Sequence, residues 1–219
     1  MGDVDRFDLI WFGALIVAII LHEISHGVVA LWFGDDTAKR AGRITLNPAP
    51  HVDPFGSIIL PAMGVLGGIP VIGWARPVPV DPRRLRNQRR DMLFVSLAGP
   101  TTNFLLALVA AVFARAMYDG QGQFALRGGV YLEFVPLIVV IPLYFAIVNV
   151  FLGLFNFLPV PPLDGSALIE RILPERWLPG WYRFRPYGIL VLFLLLFLTN
   201  FASRVFDPVA QRVYEFVLT

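Results

Sequence analysis

Four stretches of the chain are apolar for long enough to approach or exceed the width of a lipid bilayer, and they limit its fold more than anything else in it. A spanning helix needs about 20 consecutive, mostly apolar residues. Leu9–Phe33, Met92–Met117 and Tyr131–Phe157 reach that length, and Tyr187–Ala202 is shorter but almost purely apolar. A fifth stretch, Phe55–Trp74, is apolar too, but glycines at 56, 64, 67, 68 and 73 and prolines at 61 and 70 interrupt it. Across the chain 57% of residues are hydrophobic and 16% charged, and the mean hydropathy is +0.67. A soluble domain carries about 25% charge, so the composition argues against a soluble globular protein. Disorder, collagen and coiled coil fail on the same figures.

The charged residues then orient the spans. Lys39, Arg40 and Arg43 precede Phe55. Arg76, Arg83, Arg84, Arg86, Arg89 and Arg90 follow Trp74. Arg171, Arg176, Arg183 and Arg185 lie between Asp164 and Tyr187. These three loops hold thirteen of the eighteen cations. The positive-inside rule places them all in the cytoplasm. Phe55–Trp74 must then enter and leave on one side, and irregular backbone at membrane depth needs a protein or water lining. The expected fold is an all-α membrane protein in one domain over residues 1–219. It is a polytopic helical bundle of four or five spans with a re-entrant segment. Short membrane-surface strands are expected at Arg43–Leu46 and Pro77–Val80. The acidic start of the chain (Asp3, Asp5, Asp8) does not read as a signal peptide. The charge balance of +2, with Lys39 the one lysine, gives no case for nucleic acid. The absence of cysteine excludes disulfides and thiolate metal sites.

Inside the first span stands His22-Glu23-Ile24-Ser25-His26. Residues i and i+4 share a helix face, so both imidazoles can reach one zinc ion, and Glu23 can take a proton from water beside it. Three ionisable residues in five positions are costly inside a membrane and usually functional. A catalytic zinc takes three protein ligands and leaves one position open. The remaining candidates are His51, Asp53, Glu133 and Asp164. Asp164 stands out because the proline run Pro159–Pro162 breaks the helix before it. By local pattern alone it could equally be an ordinary helix cap. Asn156 could tie helices together, as buried amides do in membranes. Asn103 could do the same. His51 sits among Pro48, Pro50 and Pro54 and reads as a loop residue rather than a fourth ligand, which would close the site.

HEISH at 22–26, NPAPHVDPFGS at 47–57, GWARPVPVDP at 73–82, LAGPTTN at 97–103 and NFLPVPPLDG at 156–165 occur in this order along most of the chain. The set resembles the site-2 protease family of intramembrane zinc metalloproteases, in a compact prokaryotic form without PDZ or CBS domains. The resemblance implies His22, His26 and Asp164 as ligands of one Zn2+ per chain, with Glu23 as general base. It implies that Asn156, and less strongly Asn103, hold the substrate backbone or the oxyanion. It also implies a multi-pass protein of the cytoplasmic membrane, its site opening to the cytoplasm. Its partners would be transmembrane protein substrates and the lipid bilayer. Two other classes compete: a membrane metal-binding or transport protein, and an inactive scaffold that binds substrates without cutting them. Neither needs Glu23 in its fixed place.

Overall fold

The computed structural model describes residues 6–53, 59, 75–119 and 135–219. The helices are α1 (Arg6–Trp32), α2 (Thr37–Arg40), α3 (Gln88–Met117), α4 (Leu137–Phe157), α5 (Ser166–Ile172), α6 (Leu178–Phe184), α7 (Gly188–Leu198) and α8 (Phe201–Leu218). Three of the described helices, α1, α3 and α4, are long and apolar enough to cross a membrane. The chain is therefore a helical membrane protein. The Tyr187–Ala202 stretch is not one continuous helix. α7 has 11 residues, about 16 Å at 1.5 Å per residue, short of a hydrocarbon core of about 30 Å. It ends where Thr199 turns extended, at φ −122° and ψ 155°. Phe55–Trp74, apart from the isolated position 59, lies outside the described residues, and so does Glu133.

The expected strands do not form: no strand occurs among the described residues. At Pro77–Val80 the reason is chemical. Pro77 and Pro79 have no N–H to give a ladder, and the Val78 N–H is already donated to a side chain.

By its contacts the chain divides into two compact units. One runs from Ile19 to Gly99. Its small core holds Ala30, Leu85 and Val95. α1 stops at Gly34, which takes φ +107°, a left-handed value that glycine adopts without strain. Just beyond, two basic loops are joined. The Asp81 N–H donates to the buried Asp35 carboxylate at 2.7 Å, and the Arg86 N–H donates to the Phe33 carbonyl at 3.2 Å. Arg84 pairs with Asp36 at 3.0 Å. The exposed pair is worth little; the bonds to Asp35 are the durable link, because backbone donors meet a charged acceptor out of water. Burial works to raise the Asp35 carboxyl, but the Thr37 hydroxyl, the Asp81 and Thr37 amides and the Arg84 charge outweigh it and hold it below the usual carboxylate range.

The other unit holds the residues up to Ala18 and those from Pro100 onward. Its core sets Val139, Val140, Leu143, Ala146 and Ile147 of α4 with Ala110, Ala111 and Ala114 of α3 and Val217 of α8. Small side chains let membrane helices approach closely. Trp11 packs edge-on to Tyr144, with ring centroids 5.8 Å apart. Leu105, Leu108, Val109 and Val112 of α3 stay exposed, a face suited to lipid. α4 leaves its helix at Leu158, whose ψ of 134° is the extended value that a following proline imposes.

Candidate metal centre

In the first unit, His22 and His26 lie one turn apart on α1 and are only 6% and 8% exposed. Their Nε2 atoms are 3.1 Å apart. His26 Nδ1 lies 2.7 Å from the Val95 carbonyl oxygen on α3. A carbonyl only accepts, so His26 Nδ1 carries a hydrogen, and in the neutral ring Nε2 then presents its lone pair. That is the tautomer a metal needs, fixed by a backbone oxygen as metal-bound imidazoles commonly are. The bare Nε2 faces a second imidazole nitrogen at a distance that calls for a proton or a cation between them. The donor set, two converging imidazoles with no thiolate, fits zinc.

Gly99 makes room for this pair. A Cβ built there would lie 2.5 Å from His22 Nε2 and 2.6 Å from His26 Nε2, and would press harder still on His22 Cε1. Real Cβ contacts essentially never fall below 3.0 Å. The backbone of α3 thus forms one wall of the site.

Glu23 is held from another side. Its Oε2 accepts the Val78 N–H at 2.8 Å. Val78 belongs to an extended segment, and its side chain is 7% exposed. A Cβ on Gly27 would meet Val78 Cγ1 at 3.2 Å. Gly27 lies four residues after Glu23, on the same helix face. The missing side chain there lets the extended segment lie close to α1.

His51 is 3% exposed. Its Nε2 lies 3.0 Å from the Thr45 carbonyl oxygen, and its own carbonyl accepts the Arg76 N–H at 2.8 Å. These contacts tie it to Thr45 and Arg76.

In the second unit, Asp164 sits in a turn stitched to the end of α4. The Gly165 N–H donates to the Asn156 carbonyl at 2.7 Å, and a Cβ on Gly165 would collide with the Phe157 backbone. The Asn156 side chain donates to the Leu152 carbonyl at 3.1 Å. Asn103 is fully buried and donates to Asn149 Oδ1 at 2.8 Å. Asn149 in turn donates to the Phe145 carbonyl, so the amide pair ties α3 to α4.

Three features escaped the sequence reading. Arg43 counted there as a topology charge, yet it is buried at 6% exposure. Asn149 could have been found as a polar residue inside a very apolar helix. Gly27 could have been found by its spacing from Glu23.

A buried HExxH pair on an apolar helix, beside a backbone-held glutamate, defines a membrane metalloprotease class. Comparison with known proteins agrees. The chain is 38% identical to the putative zinc metalloprotease YwhC of Bacillus subtilis over 205 residues, 93% of this chain and 87% of that one. It is 34% identical to the putative zinc metalloprotease Rip2 of Mycobacterium tuberculosis over 183 residues, 82% of this chain and 64% of that one. The Rip2 of Mycolicibacterium smegmatis is 28% identical over 202 residues. No family model matches, and no solved structure matches. The chain belongs to the site-2 protease family of zinc metalloproteases.

Proposed function

We propose that the chain is an intramembrane endopeptidase that hydrolyses peptide bonds within or next to the transmembrane segments of other proteins. The observation that carries this reading is the fixed His22–His26 pair with Glu23 on a helix otherwise fit to lie in lipid. By the family resemblance, His22, His26 and Asp164 would hold one zinc ion. When bound, zinc supplies Lewis-acid polarisation of the scissile carbonyl and acidifies water. Glu23 accepts the proton of the attacking water and passes it to the leaving amine. Asn156 offers an amide to the substrate backbone or the developing oxyanion. Asn103, whose amide is engaged with Asn149, contributes by keeping α3 and α4 together. Substrate helices must unwind locally, because their carbonyls are otherwise sealed in hydrogen bonds.

We place the site on the cytoplasmic side of the cell membrane. The joined basic loops around Lys39–Arg40 and Arg83–Arg90 must share one side of the bilayer, and their charge favours the cytoplasm.

The test is cleavage of a panel of single-span proteins in membranes by wild type and Glu23→Gln. Glutamine keeps the volume of glutamate but takes no proton at neutral pH. Loss of the general base removes about 10²–10⁴ in rate. The expected result is cleavage by wild type and none detectable by Glu23→Gln, with zinc content equal. A scaffold would cut in neither, and a transporter would move metal in both. Wild-type proteolysis by Glu23→Gln would refute the reading.

A further inference from the structure

We propose that Arg43 is a positioning residue for Glu23: its guanidinium fixes the Arg76–Pro77 backbone so that the Val78 N–H meets the Glu23 carboxylate. The proposal rests on the reading of Glu23 as general base.

Arg43 is an unusual arginine. It is 6% exposed, and among the described residues no carboxylate lies within ion-pair distance of it. A buried charge is costly unless bonded. Its Nη2 donates instead to two successive carbonyls, those of Arg76 and of Pro77, the second at 3.3 Å. Its Nε is buried with no acceptor among the described residues. An unmet buried donor is rare and calls for an explanation.

What Arg43 grips explains the cost. Along Arg76–Pro79 the N–H groups belong to Arg76 and Val78 alone, because residues 77 and 79 are prolines. The Arg76 N–H goes to the His51 carbonyl. The Val78 N–H goes to Glu23. This segment has no sheet neighbour among the described residues to set its height against α1. The guanidinium, bonding the two carbonyls just before Val78, takes the place of that neighbour. Burial and the charge of Arg76 pull the Arg43 guanidinium below its ordinary value, and the Glu23 carboxylate opposes them.

Without the clamp, Glu23 keeps its place on the helix but loses its fixed direction. A misplacement of about 1 Å near a reacting centre can cost about 10²-fold in rate. The test uses the zinc-loaded full chain in detergent with a single-span substrate that wild type cleaves. Zinc content, kcat and KM are measured for wild type, Glu23→Gln, Arg43→Met and Arg43→Lys. Methionine fills the space without donors. Lysine restores a cation that can donate to both carbonyls. The expected result for Arg43→Met is a kcat lower by about 10²-fold, a KM within about twofold of wild type, and unchanged zinc. Arg43→Lys should return to within about tenfold of wild type. Three results overturn the proposal: wild-type kcat in Arg43→Met, loss of zinc in both Arg43 variants, or Arg43→Lys as impaired as Arg43→Met. If Glu23→Gln cleaves like wild type, the general-base reading falls and takes this proposal with it. If Glu23→Gln is inactive while Arg43→Met is fully active, only the role of Arg43 falls.

Discussion

Gly99→Ala should damage the metal centre while leaving the fold largely in place. In an open helix, alanine is favoured over glycine by about 1 kcal/mol, so the substitution ought to stabilise α3. Here the new methyl would sit 2.5 Å from His22 Nε2 and 2.6 Å from His26 Nε2, roughly 1 Å inside an ordinary contact. Something must move. α3 is held by its own backbone bonds, so the rings yield. His26 cannot yield freely, because its Nδ1 is bonded to Val95 at 2.7 Å. A shift of about 1 Å breaks that bond or turns the Nε2 lone pair away. Overpacking of this kind costs about 1–3 kcal/mol, so the helix gain roughly offsets it and net stability falls by at most about 2 kcal/mol. Metal affinity has no such compensation. Disturbing the partners that orient a ligand typically weakens binding about 10–100-fold. The assay is zinc per chain by mass spectrometry after equilibration at buffered free zinc, beside a thermal melt in the same detergent. Zinc affinity within about twofold of wild type would show that the rings have room to spare and that Gly99 is not a wall of the site.

Other perturbations separate the parts. Asp164→Ala should lose most of the zinc in the same assay, and unchanged zinc would remove Asp164 from the ligand set. Asn149→Leu should destabilise the protein by about 1–3 kcal/mol in a denaturation series, because it leaves the fully buried Asn103 amide without this partner; Asn103→Leu with Asn149→Leu should recover part of that. Asp35 titrates below the usual carboxylate value when folded, so its contribution is complete above about pH 4 and fades as pH falls through its folded value. Asp35→Asn should therefore melt lower than wild type at pH 7, and the gap should narrow at pH 3. Single cysteines at the exposed positions Lys39 and Arg84 should react from one side of the membrane, since their loops are bonded together; labelling from opposite sides would break that reading.

The parts of the site legible in the sequence were those governed by helix periodicity. His22, Glu23 and His26 needed only the spacing of four residues and an apolar setting. The break before Asp164 needed only Pro159, which forces Leu158 out of the helix. Gly99 read as a residue for close packing, and it is one; the letters could not say that imidazoles are what approaches it. Arg43 was invisible for a different reason. A buried arginine and a loop arginine are the same letter, and the positive-inside rule absorbs both. The strands failed because alternation was read without asking which residues have an N–H to give. Tyr187–Ala202 read as a span because hydropathy averages over Thr199 and Asn200, where the backbone leaves the helix.

The same distinction bears on how Glu23 and the histidines can work at all. His26 is oriented by the Val95 carbonyl, the imidazole pair is admitted by a missing side chain at Gly99, and Glu23 is met by the Val78 amide. These supports are backbone atoms or the absence of a side chain. Backbone groups inside a membrane must be satisfied; the Val95 carbonyl, whose helical partner is the Gly99 N–H, has a second lone pair and offers it to His26 Nδ1. Prolines at 77 and 79 leave Val78 the one N–H donor between them, and it goes to Glu23. Glycine and proline, which weaken helices and strands elsewhere, free the backbone groups and the space that hold this site in lipid. The motif supplies the reactive side chains, and the breakers around it supply their geometry.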